Sequence, residues 1–97
     1  MANQFGDRVR HLREQQKLLL RQVAPLLEMD TPLLSKIERG ERTAKKEQVG
    51  KLAEILKADK EELLTLWLAD QVYDVVKGED MADEALKSVS KKLKKAK

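Results

Sequence analysis

Apolar residues recur along this chain at intervals of three and four and almost nowhere at intervals of two, so the pattern predicts helices from end to end. A first helix is expected over about 4–16, where Phe5, Val9 and Leu12 share one stripe and Asn3 stands at the N-cap position. A second covers about 20–27, with Leu20, Val23, Ala24 and Leu27 facing inward. Pro25 falls inside that segment and deletes a backbone hydrogen bond, so this helix should start late or bend there. The third, over about 31–39, is better punctuated. Asp30 can cap it, Pro32 lies in the first turn where a missing N–H does no harm, and Gly40 can end it in the left-handed conformation. Leu34 and Ile37 point inward, Leu33 lies at the border, and Thr31, Pro32, Ser35 and Lys36 face outward. The stretch 21–40 thus reads as two short helices about a tight corner, with the rest of the chain as its support.

Beyond a basic loop at 41–46, a fourth helix over about 46–57 turns Val49, Leu52, Ala53 and Leu56 inward. Asp59 opens a fifth, and the run Asp59, Lys60, Glu61, Glu62 has the form of a capping box. Helix five, about 60–77, carries more apolar surface than one face can hold, from Leu63 through Trp67 to Val76. Its second side should therefore be covered, either by the C-terminal helix or by another copy of the chain. Gly78 ends it, and a sixth helix is expected from 81 to about 93, with Ala82, Ala85 or Leu86, Val89 and Leu93 as its stripe, fraying into a lysine tail. This organisation divides the chain into a domain over 1–77 and a C-terminal helix with a lysine-rich tail over 78–97.

Composition narrows the chemistry. A chain of 97 residues is expected to hold one domain with a modest core. Without cysteine there are no disulfides and no thiolate metal sites, and the single histidine, His11, reads as a solvated residue of helix one rather than a metal ligand. No apolar run approaches the roughly 18 residues of a membrane span, and the first residues lack the apolar centre of a signal peptide. The expectation is a soluble cytoplasmic protein with no cofactor, no metal and no catalytic site, because its acids lie on solvated helical faces without a partner base.

The net charge of +3 says less than its distribution. Residues 1–50 hold ten Lys and Arg against seven acids, 59–84 hold two Lys against nine acids, and 87–97 hold six Lys and no acid. An acidic middle repels phosphate, so a nucleic-acid face belongs to the first half or to the tail. Taken singly, Arg8, Arg10, Arg13 and Lys17 read as solvated charges on an amphipathic helix, and the tail as a solvated end.

With helices two and three placed, the chain resembles the Cro and phage-repressor type of helix-turn-helix protein, the XRE family. The resemblance covers roughly 5–65 and is carried by the arginine-rich run from Arg10, by Arg21, Gln22, Val23 and Ala24, and by the run 33–42 with its Ser35, Lys36, Ile37, Glu38 and Gly40. It implies an all-α, five-helix Cro/repressor-like helix-turn-helix bundle, here with an extra C-terminal helix. It further implies that Arg13 and Glu38 form a structural ion pair joining helix one to the end of helix three, and that Thr31, Pro32, Ser35 and Lys36 face base edges. By the same resemblance Arg21, Gln22, Arg39, Arg42, Lys45 and Lys46 grip the DNA backbone. Three departures stand out. Leu19 and Leu20 occupy places where the family has a polar cap and a phosphate-touching glutamine, Glu28 stands where a glycine makes the turn, and Asp30 and Glu41 put negative charge beside the DNA.

The resulting expectation is a sequence-specific double-stranded DNA-binding transcriptional regulator that works as a homodimer with helix three in the major groove, Leu64, Trp67 and Leu68 forming the dimer interface. The alternative is an antitoxin-like interaction module, in which helix five and the C-terminal helix hold a protein partner and DNA binding is secondary.

Overall fold

The computed structural model describes residues 3–96. Among the described residues the chain is all-helical: α1 (Gln4–Gln15), α2 (Leu20–Val23) running straight into a 3-10 turn (Ala24–Leu27), α3 (Thr31–Glu38), α4 (Lys46–Leu56), α5 (Lys60–Val76) and α6 (Ala82–Lys95). The first five enclose one core, built from Phe5, Val9 and Leu12 of α1, Val23, Ala24 and Leu27 of the second segment, Leu34 and Ile37 of α3, four residues of α4 and Leu63 of α5. The stripes that the spacing of apolar residues picks out in α1, α3 and α4 are the ones buried. α5 is the platform on which α4 and α1 both pack, and α1 in turn holds α3.

The second segment begins on time, at Leu20, and accommodates Pro25 by tightening into a 3-10 turn at Ala24. Pro25 then lies in the first turn of the tightened piece, where its missing N–H breaks nothing. Leu19 has no side chain with which to cap α2. Gln22 compensates in part by reaching back, its Oε1 accepting the Leu19 N–H at 2.7 Å. Gln48 does the same for Lys45 at the start of α4, at 2.8 Å.

The corner between the 3-10 turn and α3 closes without a glycine because Glu28 itself adopts the left-handed conformation, φ 56° and ψ 39°. Its N–H reaches the Pro25 carbonyl at 3.0 Å and the next N–H, of Met29, reaches the Ala24 carbonyl at 3.1 Å. A residue with a Cβ costs about 1 kcal/mol or more there, and its negative charge lies at the unfavourable end of the helical dipoles. Glu28→Gly is therefore expected to stabilise the fold by about 1 kcal/mol, raising the thermal midpoint by roughly 4–8 °C. Calorimetry of the variant checks this, and an unchanged or lowered midpoint would show that the side chain contributes to the corner.

One expected cap is replaced by a longer-range one, and another keeps its cap but not its box. Asn3 holds the N-cap position of α1, yet its side chain does not cap that helix; Nδ2 donates instead to the Glu38 carbonyl at the end of α3, at 2.8 Å. The free amides of α1 are taken by Asp70 of α5, whose carboxylate accepts from Gln4 N at 3.1 Å and Phe5 N at 2.9 Å. At the start of α5, Asp59 accepts from Glu61 N at 3.0 Å, but the capping box is not completed. Glu62 turns to Arg8 of α1, at 3.0 Å, because a guanidinium is a stronger partner for a carboxylate than a neutral amide.

α5 covers less of its apolar surface than it carries. Trp67 and Leu64, placed in the expected dimer interface by the sequence, pack partly against the chain's own core. The Trp67 indole N–H donates to the Ala44 carbonyl at 2.7 Å, fastening the 41–45 loop, whose Ala44 is buried. Leu68, Val72, Tyr73 and Val75 remain exposed, Val75 at 78%. α6 does not cover them: it buries none of its own residues. It also does not fray at its lysines but stays helical to Lys95. With α6 lying outside the bundle the radius of gyration is 15.1 Å, against about 13 Å for a compact chain of this length.

Candidate nucleic-acid interface

α3 is eight residues long and carries its two faces in separate hands. Leu34, Ile37 and Glu38 are buried, while Pro32 and Lys36 are exposed and Thr31 and Ser35 half-exposed. The helix starts cleanly because Asp30 Oδ1 accepts the Leu33 N–H at 2.8 Å, and it stops at Gly40, whose φ of 78° carries the chain away.

What holds this helix is concentrated at its C-terminal end. Arg13 of α1 donates from Nε to Glu38 Oε2 at 2.7 Å and from Nη2 to Glu38 Oε1 at 3.0 Å. Its remaining arm, Nη1, donates to the Leu18 carbonyl at 2.8 Å. One guanidinium thus joins α1, the end of α3 and the loop entering α2. Both partners are nearly out of solvent, Arg13 at 8% and Glu38 at 5% exposure. The hydrogen bonds that Arg13 donates to Glu38 raise the Arg13 pKa above its ordinary value despite the opposing effect of burial. Gly6 completes the seam. A Cβ there would meet Asn3 Oδ1 at 2.5 Å and the Ile37 carbonyl at 2.7 Å, and the Glu38 carbonyl more closely still. Only a glycine lets α1 come this near to the end of α3.

The cations around α3 differ in how free they are. Arg39 is committed within the chain: its Nε and Nη2 donate to Glu41 at 2.6 and 3.4 Å, and its Nη1 donates to Ser35 Oγ at 2.5 Å. The hydrogen bond from Arg39 holds the Glu41 carboxyl below its usual range. Glu41 and Asp30, the two acids expected to repel DNA, are therefore both occupied, one by Arg39 and the other by the first turn of α3. Ser35 accepts from Arg39, which leaves its O–H hydrogen to donate outward. Arg21 and Gln22 are exposed on α2, and Gln22, having spent Oε1 on Leu19, keeps its NH2 group. Arg42 and Lys45 line an open groove of about 410 Å³ together with Glu28, Asp30 and Leu33, beside the start of α3. Lys46 is exposed at the first position of α4.

Sequence reasoning missed four contributors to this arrangement: Asn3 as a link to α3, Gly6, the Leu18 carbonyl and Asp70. Only Gly6 left a local signal, a glycine inside an amphipathic helix. Asp70 could not be read at all, since its partners lie 65 and 66 positions away.

Among the described residues no group of three or more His, Cys, Asp or Glu is placed to hold a metal, and no helix is long and apolar enough to cross a membrane. Comparison with known families finds a match to the model described as a helix-turn-helix domain, over residues 4–66, which takes in α1 to α4 and the first turns of α5. No curated protein and no solved structure matches the chain.

Proposed function

Because the chain belongs to the helix-turn-helix domain family, we propose that it is a sequence-specific, double-stranded DNA-binding transcriptional regulator of the Cro and phage-repressor type. It acts by binding alone, in the cytoplasm, as a homodimer that sets one α3 into each of two successive major-groove faces. The observation that carries this reading is the asymmetry of α3. Its outer face offers Thr31, Pro32, Ser35 and Lys36 to a partner, and its inner end is locked by a bidentate ion pair to a helix that makes no use of that face.

In this reading each side chain has its own role. Lys36 donates to guanine O6 or N7, and Ser35, oriented by Arg39, donates to an acceptor on a base edge. Thr31 bonds a base edge or a phosphate, and Pro32 reads by shape or against a thymine methyl. Arg21, Gln22, Arg42, Lys45 and Lys46 supply the phosphate contacts that give affinity and register. Arg39 acts mainly by orienting Ser35.

Selection of bound duplexes from a random pool, followed by binding to the selected and a scrambled duplex, tests the reading. A clear preference for the selected sequence is expected, and equal binding to both at physiological salt would overturn it. In the same assay Lys36→Ala is expected to relax preference by about 1–3 kcal/mol at the position it reads, whereas Arg21→Ala weakens all sequences alike and lowers the salt slope by about 1.

A further inference from the structure

We propose that α6 is the joining element of the homodimer and that it pairs antiparallel with α6 of a second copy. The inference rests on the proposed function only in taking the working unit to be a pair.

α6 is a regular helix of 14 residues with no buried residue, a poor state for an apolar stripe. Met81, Leu86, Val89 and Leu93 are 63, 39, 53 and 61% exposed. The stripe Ala82, Leu86, Val89, Leu93 is spaced four, three, four, which is the seam of a short coiled coil. That spacing is the same read from either end. A two-fold axis midway between Leu86 and Val89 sets Leu86 opposite the second copy's Val89 and Ala82 opposite its Leu93, and the whole stripe is matched with no residue left over.

Charge decides the direction. The first turn of α6 carries Asp83 and Glu84, preceded by Glu79 and Asp80, and the last turns carry Lys91, Lys92, Lys94 and Lys95. In the antiparallel pair Asp83 lies at the height of Lys92 in the second copy, and Glu84 at the height of Lys91. In a parallel pair the lysines would face their own counterparts, as would the acids. Opposed helix dipoles favour the same choice. An anionic membrane surface fits less well, because Glu79, Asp80, Asp83 and Glu84 would be pressed against like charge and the stripe has no aromatic anchor.

The pair has room to bury more than its own seam. Between α5 and α6 runs an open apolar groove of about 510 Å³, lined by Leu68, Val72, Tyr73 and Val76 on one side and by Leu86 on the other. Leu86 belongs to both groove and stripe, so a second α6 paired along the stripe also borders the groove and covers the exposed side of α5. Two heptads alone make a weak coiled coil, and the α5 surface supplies the remaining area.

Sedimentation equilibrium of the full chain and of Val89→Lys tests the seam, since Val89 is half-exposed and outside the bundle's core, and circular dichroism of the variant is expected to show the fold intact. The native chain is expected to be dimeric and Val89→Lys monomeric. A native chain that stays monomeric overturns the proposal, and so does a Val89→Lys variant that still dimerises, which would leave a dimer joined elsewhere. Direction is read by oxidising an equimolar mixture of Ala82→Cys and Leu93→Cys chains, the native sequence having no cysteine. The mixed disulfide is expected to dominate, whereas like-with-like disulfides overturn the antiparallel arrangement, because the antiparallel pair holds identical positions about 16 Å apart along the axis. Co-sedimentation with phosphatidylserine vesicles that Val89→Lys abolishes, from a chain monomeric in solution, would assign α6 to a membrane surface and also overturn it. Duplex selection on the native chain scores the DNA-binding reading separately, whatever the oligomeric state.

Discussion

Replacing Glu38 with alanine is expected to destabilise the folded chain by about 3–5 kcal/mol, the cost of leaving a buried guanidinium without its partner. A chain of this size has only about 5–15 kcal/mol in total, so the variant will melt many degrees lower and be partly unfolded at moderate denaturant. The prediction follows from the 5% exposure of Glu38 and from the bidentate geometry, since an exposed pair would cost less than about 1 kcal/mol. Arg13→Ala should lose a similar amount, because it strands the carboxylate and also frees the Leu18 carbonyl. The two losses should not add, for removing both partners removes the stranded charge, and a double-mutant cycle by urea denaturation measures that coupling. A loss below 1 kcal/mol in Glu38→Ala would show that the pair is solvated in solution. If Arg13→Met with Glu38→Leu folds with near-native stability, as replacement of a buried pair by apolar residues allows, that double variant isolates the orienting role. It should bind DNA with less discrimination between selected and scrambled duplex.

Gly6→Ala carries the second large effect, and here the sign is the test. In an ordinary helix interior this change stabilises by about 1 kcal/mol through helix propensity. In this fold the new methyl carbon would fall 2.7 Å from the Ile37 carbonyl, and nearer still to that of Glu38. Carbonyls at the end of a helix cannot swing aside as a side chain can, so α1 must move away from α3. Overpacking of this kind costs about 1–3 kcal/mol, and the shift also pulls Asn3 Nδ2 from the Glu38 carbonyl and lengthens the Arg13 bridge. Net destabilisation of about 1–2 kcal/mol is expected from urea titration, with weakened preference for the selected duplex. A gain in stability would mean that α1 and α3 are further apart than the structure has them.

These two predictions fall on one seam, and the sequence revealed its halves unequally. Arg13 and Glu38 were legible only through the family resemblance. Nothing in the periodicity distinguishes Arg13 from Arg8 or Arg10, and one of those cations turned out to bond Glu62 and the other its own helix neighbour Glu14. Gly6 was visible as a residue but not as a contact. The outer face of α3 was legible from spacing alone, since burying Leu34 and Ile37 leaves Thr31, Pro32, Ser35 and Lys36 nowhere to point but outward. Arg39 looked like one more phosphate clamp, and its engagement with Ser35 and Glu41 depends on rotamers that a pattern of charges does not encode.

The chain's pattern by itself determined where helices form, which stripes α1, α3 and α4 bury, and where α3 begins and ends. Those are local consequences of helical spacing, of a carboxylate beside free amides, and of a glycine where φ must be positive. It also determined that α5 and α6 carry more apolar surface than one small bundle can hide. Only the tertiary structure decided what closes α1, because Asp70 is brought to Gln4 and Phe5 by the packing of α5 and by nothing near them in the chain. It likewise decided that Glu28 bends into a left-handed corner rather than opening the turn, and that Trp67 serves the chain's own loop. Those outcomes turn on distances between segments far apart in sequence, where a difference of one ångström separates a hydrogen bond from none.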